Sequence, residues 1–264
     1  MAFSPRRRFS QNFLRDLRVV EKILAAAELV AEDRVLEIGP GLGVLTRRLA
    51  SLCKEVQVIE IDRDLALELK AGGDLDVDIH EGDALKMDWR ELLREPPWKM
   101  VANLPYNISS PLFFKILENR DLFERLALMF QKEFAARLCA QPGNKDYGIP
   151  SVFCRQYFDV SPVAVVPPTS FFPAPKVSSM VLVLTPLNKP RVAVADEKLF
   201  FQVVRGAFAQ RRKTLPNSLK GFGFKADLVA EKIAVSGIDP RRRGETLSLE
   251  EFASLARVFA DESC

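Results

Sequence analysis

Residues 33–50 are "DRVLEIGPGLGVLTRRLA". A short apolar run leads into "EIGPGLG" (Glu37–Gly43), and apolar residues at helical spacing follow. That order predicts a strand, a tight turn and a helix. Glycines at 39, 41 and 43 let the backbone approach a ligand closely, with a helix N-terminus just behind. The dinucleotide fingerprint GxGxxG would need glycine at position 44, which is Val44. On its own, the turn is also compatible with a purely structural strand-to-helix connection.

Outward from this stretch the pattern repeats. "EVQVIEIDRDLALELKAG" (55–72) is strand then helix, and "LDVDIHEGDAL" (75–85) is a third strand ending in an acidic turn. "WKMVANLPY" (98–106) is a fourth strand, followed by a helix in "SPLFFKILEN" (110–119). "LALMFQKEFAARLCA" (126–140) is a fifth strand running into another helix, and residues 17–30 form a helix upstream of them all. Strands alternating with helices predict a parallel sheet covered on both faces. "SVFCRQYFDVSPVAVV" (151–166) and "SSMVLVLTP" (178–186) then read as two strands joined by "PPTSFFPAPK" (167–176), closing the sheet with an antiparallel, hairpin-like pair. The expected fold class is α/β, a Rossmann-like and mostly parallel seven-stranded sheet. After Pro186 the pattern changes. Residues 196–209, 213–220, 225–236 and 248–259 are all helical, with Ser248 and Glu251 spaced as a capping box. A boundary near 188 therefore separates residues 1–187 from a small all-α C-terminal domain, residues 188–264.

Composition narrows the function. The 264 residues are 48% hydrophobic and 28% charged, as in ordinary globular proteins. No run approaches the ~20 apolar residues of a membrane span, and the basic N-terminus lacks the apolar segment of a secretory signal. A mitochondrial transit peptide is Arg-rich too, but motif-like sequence begins by Gln11. Four scattered cysteines without a CxxC pair, and a single histidine (His80), argue for reduced thiols in the cytoplasm, against a protein-bound metal and against a histidine-dependent hydrolase. The net charge is +3, unevenly placed: residues 186–264 carry 14 Lys and Arg against 10 Asp and Glu, whereas the first 185 residues carry 24 against 25. Basic triplets at Arg6–Arg8, Arg211–Lys213 and Arg241–Arg243 suit a polyanion such as nucleic acid, although a solvated surface run looks the same.

Chemistry concentrates at the carboxyl ends of the strands, where doubly wound sheets bind ligands. The spacing E-x-G-x-G-x-G resembles the S-adenosylmethionine loop of Rossmann-like methyltransferases. Glu60 ends the second strand, 21 residues after Gly39, where a carboxylate can accept from both hydroxyls of a ribose. Asp83 follows the third strand, placed to accept from an adenine amino group. Either acid alone could be a solvated cap; the three features together point to S-adenosylmethionine.

The fourth strand ends in Asn103-Leu104-Pro105-Tyr106. Leu104 precedes proline and is biased to an extended backbone, and Pro105 has no N–H. The turn thus presents two acceptors, the Asn103 side-chain oxygen and the Leu104 carbonyl, beside the flat face of Tyr106. That set suits a planar ring carrying an exocyclic amino group. Ser110 as N-cap and Pro111 at the first helical position would then start the next helix. Taken alone, the tetrapeptide reads rather as a proline turn with a capping asparagine.

"NLPY" is similar to the [DN]PP[YF]-type motif of amino-methyltransferases. "QNFL" (11–14), "EIGPGLGVLT" (37–46), "NLPYNIS" (103–109), "FFPAPKVSS" (171–179) and "FAQRRKTLPNSL" (208–219) occur in order over nearly the whole chain. Together they resemble the ribosomal RNA adenine N6,N6-dimethyltransferase family, in particular its bacterial KsgA (RsmA) branch. Ser10 stands where that family usually has glycine before QNFL. The resemblance implies that Asn12 and Leu14 close over S-adenosylmethionine, and that Gly39 and Gly41 approach its methionine moiety. It places Glu60 on the ribose, Asp83 on the adenine, and Asn103 beside both cofactor and target. Asn103, Leu104 and Tyr106 would hold the target adenine, with Phe171 packing on its other face. Arg211, Arg212 and Lys213 would contact RNA backbone.

The implied activity is dimethylation of two adjacent adenosines in a hairpin loop near the 3′ end of 16S rRNA, within an immature 30S subunit and in ribosome biogenesis. A cytoplasmic monomer without a metal is expected. The rival readings are a 23S rRNA adenine methyltransferase of the macrolide-resistance (Erm) type, a DNA adenine methyltransferase, whose motif is usually DPPY, and a non-enzymatic assembly or transcription factor on the same scaffold. The NLPYNIS and RRKTLPNSL stretches favour the KsgA branch.

Overall fold

The computed structural model describes residues 11–72 and 75–260; the Arg6–Arg8 triplet, Ser10 and Cys264 lie outside them. In chain order the elements are β1 (Phe13–Leu14), α1 (Leu17–Ala27), β2 (Arg34–Ile38), α2 (Thr46–Leu52), β3 (Glu55–Glu60), α3 (Arg63–Ala71), β4 (Asp78–Glu81), α4 (Trp89–Leu92), β5 (Trp98–Asn103) and α5 (Ser109–Glu118). They continue with β6 (Phe123–Gln131), α6 (Lys132–Cys139), α7 (Ile149–Tyr157), β7 (Phe158–Val166), β8 (Phe171–Phe172), β9 (Ser179–Pro186), α8 (Glu197–Phe208), α9 (Leu215–Phe222), α10 (Ala226–Ser236) and α11 (Leu249–Ala260).

Seven strands form one sheet in the order β4-β3-β2-β5-β6-β9-β7, and β1 pairs separately with β8. The neighbours from β4 to β6 run parallel, and β9 runs antiparallel to β6. This is the expected α/β architecture. Residues Val35–Ile38 of β2 and Val56–Glu60 of β3 are all buried, as in a sheet covered on both faces, so these strands show no in–out alternation. On α1, Val19, Val20, Ile23, Leu24 and Ala27 form a single buried stripe that joins Val35, Val101, Ala127 and Met129 of the sheet. Asp16 caps this helix by accepting from the Arg18 N–H at 3.1 Å. From β2 the chain steps outward through β3 to β4, then crosses back to β5 on the other side of β2. The switch point therefore lies between β2 and β5, and their carboxyl ends carry the glycine turn and Asn103.

Two local expectations are corrected. The first half of 151–166 is the helix α7, not strand. Pro150 sits in its first turn, and Ser151 Oγ accepts from the Gly148 N–H (3.0 Å) and donates to the Arg137 carbonyl (2.6 Å). Phe153, Gln156 and Tyr157 are buried along one stripe. Ser110 is not an N-cap. A 3₁₀ turn over Tyr106–Ile108 runs directly into α5 at Ser109, so the Ser109 N–H already bonds to the Tyr106 carbonyl. At the C-terminal end the Ser248/Glu251 capping box is present: Ser248 N–H donates to Glu251 (2.8 Å), and Glu251 N–H to Ser248 Oγ (3.2 Å).

The chain separates into two compact units. One contains the residues up to Ala135 with Asp159–Pro186, and the other Ala136–Phe158 with the residues from Leu187. A single cut near 188 thus misses an inserted contribution. Phe153 of α7 stacks on Phe201 of α8 (centroids 4.1 Å apart), and Tyr147 Oη donates to the Leu247 carbonyl (3.1 Å). These buried contacts tie 136–158 to the C-terminal helices.

Candidate active site

The cavity lies entirely in the sheet-containing unit. Its walls come from residues 11–14, the glycine turn, the end of β3, residues 82–85 and residues 103–108. Asn12, Leu14, Gly39, Gly41, Glu60, Asp83, Asn103, Leu104 and Tyr106 all line it. The structure thus brings together nine of the positions singled out from the sequence.

Local backbone chemistry explains the arrangement. Gly39 and Gly41 have φ of +67° and +59°, where a side chain is strained. A Cβ on Gly41 would lie 2.9 Å from the Phe13 ring, and one on Gly39 would lie 3.2 Å from Pro105. The turn is therefore packed between the QNFL segment and the NLPY turn. Gln11 Nε2 donates to the buried Asp62 (2.9 Å), fixing QNFL over the end of β3.

Glu60 is 4% exposed and accepts from the Asp62 N–H (2.8 Å) and the Gly41 N–H (3.3 Å). Burial raises its pKa, and these backbone donors oppose the rise. Glu37, at 1% exposure, is the second buried acid. Its Oε2 has no hydrogen-bond partner among the described residues, and burial, reinforced by the Glu60 charge, pushes its carboxyl up to about 8. Asp83 is half-buried and accepts from the Leu85 N–H through Oδ1 (3.0 Å). Among the described residues no Lys or Arg lines the cavity. Glu60 and Asp83, the latter 4.0 Å from the Lys86 ammonium, and the buried Glu37 give the cavity an acidic edge, and the apolar walls around them suit a flat ring.

In the NLPY turn, the Leu104 N–H donates to the Met129 carbonyl (3.1 Å), which anchors the turn to β6. Pro105 is extended (φ −59°, ψ 129°), and the Leu104 carbonyl has no hydrogen-bond partner among the described residues. Asn103 Nδ2 faces the Asn12 carbonyl at 3.4 Å, leaving Oδ1 as an open acceptor. Tyr106 Oη and Ser179 Oγ are 2.5 Å apart, pinning the ring against β9.

Phe171 is the exception among the expected site residues. It is 5% exposed, does not line the cavity, and belongs to the buried cluster with Leu14, Val20 and Val181. Its neighbour Phe172 is the exposed ring. In the second unit, Arg211 pairs with Glu245 (3.0 Å) and donates to the Lys145 carbonyl, whereas Arg212 and Lys213 are exposed without a carboxylate partner among the described residues. Arg241 and Arg242 are likewise paired, with Asp239 and Glu251 at 2.9 Å each, and Arg243 is exposed. Sequence reasoning missed Glu37, Asp62 and Ser179. In the sequence Glu37 is marked only as the start of the glycine motif, and the other two act through contacts made in the fold.

No cluster of metal-ligating side chains and no helix long and apolar enough to cross a membrane occurs among the described residues.

Comparison with known proteins gives a consistent result. Residues 2–261 match the family model described as "Ribosomal RNA adenine dimethylase". A "Ribosomal RNA small subunit methyltransferase A" of Syntrophotalea carbinolica is 56% identical over 259 residues, covering 98% of each chain. The protein of the same name from Geobacter metallireducens is 50% identical, covering 96% of this chain and 95% of its own. Among solved structures, a dimethyladenosine transferase from Plasmodium falciparum aligns with TM-score 0.77 at 29% identity, over 94% of this chain and 98% of its own. The 23S rRNA methyltransferase ErmE aligns with TM-score 0.66 at 27% identity, over 94% of this chain and all of its own (100%). With a match running almost from end to end, over the same QNFL, glycine and NLPY segments that wall the cavity, the chain belongs to the ribosomal RNA adenine dimethylase family.

Proposed function

We propose that this chain dimethylates N6 of two adjacent adenosines in a hairpin loop near the 3′ end of 16S rRNA, using S-adenosylmethionine, as a cytoplasmic monomer acting on an immature 30S subunit during ribosome biogenesis. The observation that carries this reading is the NLPY turn, whose two acceptors open into an acidic cavity. The relatives at 56% and 50% identity bear small-subunit names, while the 23S enzyme is 27% identical, which favours the small subunit.

The residues present fit the cofactor. Gly39 and Gly41 let the backbone approach its methionine moiety, Glu60 accepts from its ribose hydroxyls, and Asp83, whose Oδ2 lies 4.0 Å from the Lys86 ammonium, accepts from its adenine amino group. Asn12 and Leu14 cover it. When bound, S-adenosylmethionine supplies an electrophilic methyl group on a sulfonium cation. The protein's part is to make N6 a competent nucleophile. That nitrogen's lone pair is delocalised into the adenine ring, so the free amine reacts poorly. Asn103 Oδ1 and the Leu104 carbonyl, each accepting one N6–H, favour a more tetrahedral nitrogen with an available lone pair. Tyr106, fixed through Ser179, offers a face for the base, as proteins commonly grip an unpaired, splayed-out base. Catalysis then rests on positioning and preorganised acceptors. No side-chain base is required beforehand, because the nitrogen becomes acidic only after the methyl group is attached.

Exposed Arg212 and Lys213 serve as phosphate contacts, which makes RNA binding salt-sensitive. The test is incorporation of labelled methyl from S-adenosylmethionine into immature small subunits and into protein-free 23S RNA. Label in the small subunit alone is the expected result; label in 23S RNA alone transfers the assignment to the Erm-type reading.

A further inference from the structure

We infer that Phe172 and Arg15 form a second nucleotide-binding position at the cavity rim, a stacking platform for an unpaired RNA nucleotide beside the target adenosine. This rests on the RNA-methylating reading above and extends it from the reacting base to its neighbour.

The geometry begins with the two-stranded ribbon. Phe13 pairs with Phe172 and Leu14 with Phe171. Directly opposed residues of an antiparallel pair project from the same face. Leu14 and Phe171 both belong to the core cluster, so their face is turned inward. Phe13 lies against Gly41 and lines the cavity, so Phe172 shares the face that carries a cavity wall. Phe13 is 7% exposed and Phe172 48%. A large aromatic ring is thus left open to solvent beside the site.

Arg15 supplies the charge. It lies two residues after Phe13 on the same ribbon, and its guanidinium sits 4.0 Å from the centroid of the Phe172 ring. It is exposed and has no carboxylate partner among the described residues. Its N–H donates to the Ser170 carbonyl (2.9 Å), which fixes the start of the side chain. Aromatic rings and guanidinium planes are the surfaces on which unpaired bases stack, and the guanidinium edge also donates to phosphate. Among the described residues no Lys or Arg stands in the cavity walls. Arg15, which follows directly on the cavity-lining Leu14, places a cation at the rim for a phosphate flanking the target.

The experiment uses full-length protein and immature small subunits. Phe172→Ala is expected to weaken particle binding and raise the KM for particles roughly tenfold, within the range base–aromatic stacking gives. The kcat and the affinity for S-adenosylmethionine should stay within about twofold, as a loss confined to RNA positioning requires. Phe172→Trp should restore binding, and Arg15→Ala should weaken it with a smaller salt dependence. A photoreactive phenylalanine analogue at position 172 should crosslink to a nucleotide neighbouring the target adenosine. Particle affinity within twofold of the parent for Phe172→Ala, or a crosslink far from the target loop, overturns the proposal. If the parent protein binds particles but transfers no methyl to adenosine, the functional reading fails instead, and the binding and crosslinking results still judge the platform.

Discussion

Glu37→Gln isolates the most unusual electrostatic feature of the cavity. Glu37 is 1% exposed, and its burial pushes the carboxyl from 4.5 up to about 8. In the fold it is therefore neutral at pH 6, whereas in the unfolded chain it is ionised. For an acid with a raised folded pKa, the stabilising contribution is complete below about pH 4.5 and is lost as pH rises through about 8. Between pH 6 and pH 9 that loss amounts to about 3 kcal/mol, at 1.36 kcal/mol per pH unit over most of the interval. Glutamine has nearly the same shape and does not titrate. The stability advantage of Glu37→Gln over the parent should thus grow by about 3 kcal/mol from pH 6 to pH 9, or roughly 6–12 °C in Tm. Glu60 titrates in both proteins and largely cancels. Paired thermal melts followed by circular dichroism at pH 6, 7, 8 and 9 measure the difference directly. A constant offset across that range refutes the assignment of a neutral buried carboxyl.

Asn103→Ala removes one of the two amine acceptors and should lower the single-turnover rate of methyl transfer about 10²–10³-fold, with S-adenosylmethionine affinity nearly retained. Gly41→Ala places a Cβ 2.9 Å from the Phe13 ring at a φ of +59°, so calorimetry should show cofactor affinity reduced at least about tenfold. Reversing Arg212 and Lys213 to Glu should weaken small-subunit binding and flatten its log–log salt slope by about 1 per lost contact, leaving cofactor affinity unchanged. Arg211→Ala should weaken binding less than Arg212→Ala in the same filter-binding assay, because Arg211 already pairs with Glu245 and the Lys145 carbonyl.

Where a local rule determines the structure, the sequence announces it. The glycine turn, Glu60 at a strand end, the proline of NLPY and the Ser248/Glu251 box are all set by near neighbours, and each appears where its pattern indicates. Misreadings arise where tertiary packing decides. The apolar run around Phe153 suits a buried strand or a buried helix equally, and stacking on Phe201 selects the helix. Phe171 and Phe172 are indistinguishable in sequence. Only the pairing of β8 with β1 turns Phe171 inward beside Leu14 and leaves Phe172 outside. Equal triplets of basic residues conceal unequal roles for the same reason: Arg211, Arg241 and Arg242 find carboxylates that are distant or unremarkable in sequence. The Gln11–Asp62 bond spans 51 positions and gives no local signal.

The central claim is that the open Asn103 Oδ1 and Leu104 carbonyl present adenine N6 for methylation. Its most direct test is nucleoside analysis of small-subunit RNA after incubation with S-adenosylmethionine and either the parent protein or Asn103→Ala. The account predicts N6,N6-dimethyladenosine from the parent and a rate at least about 10²-fold lower from the variant. Methylation at any other atom, or an unimpaired Asn103→Ala, contradicts it.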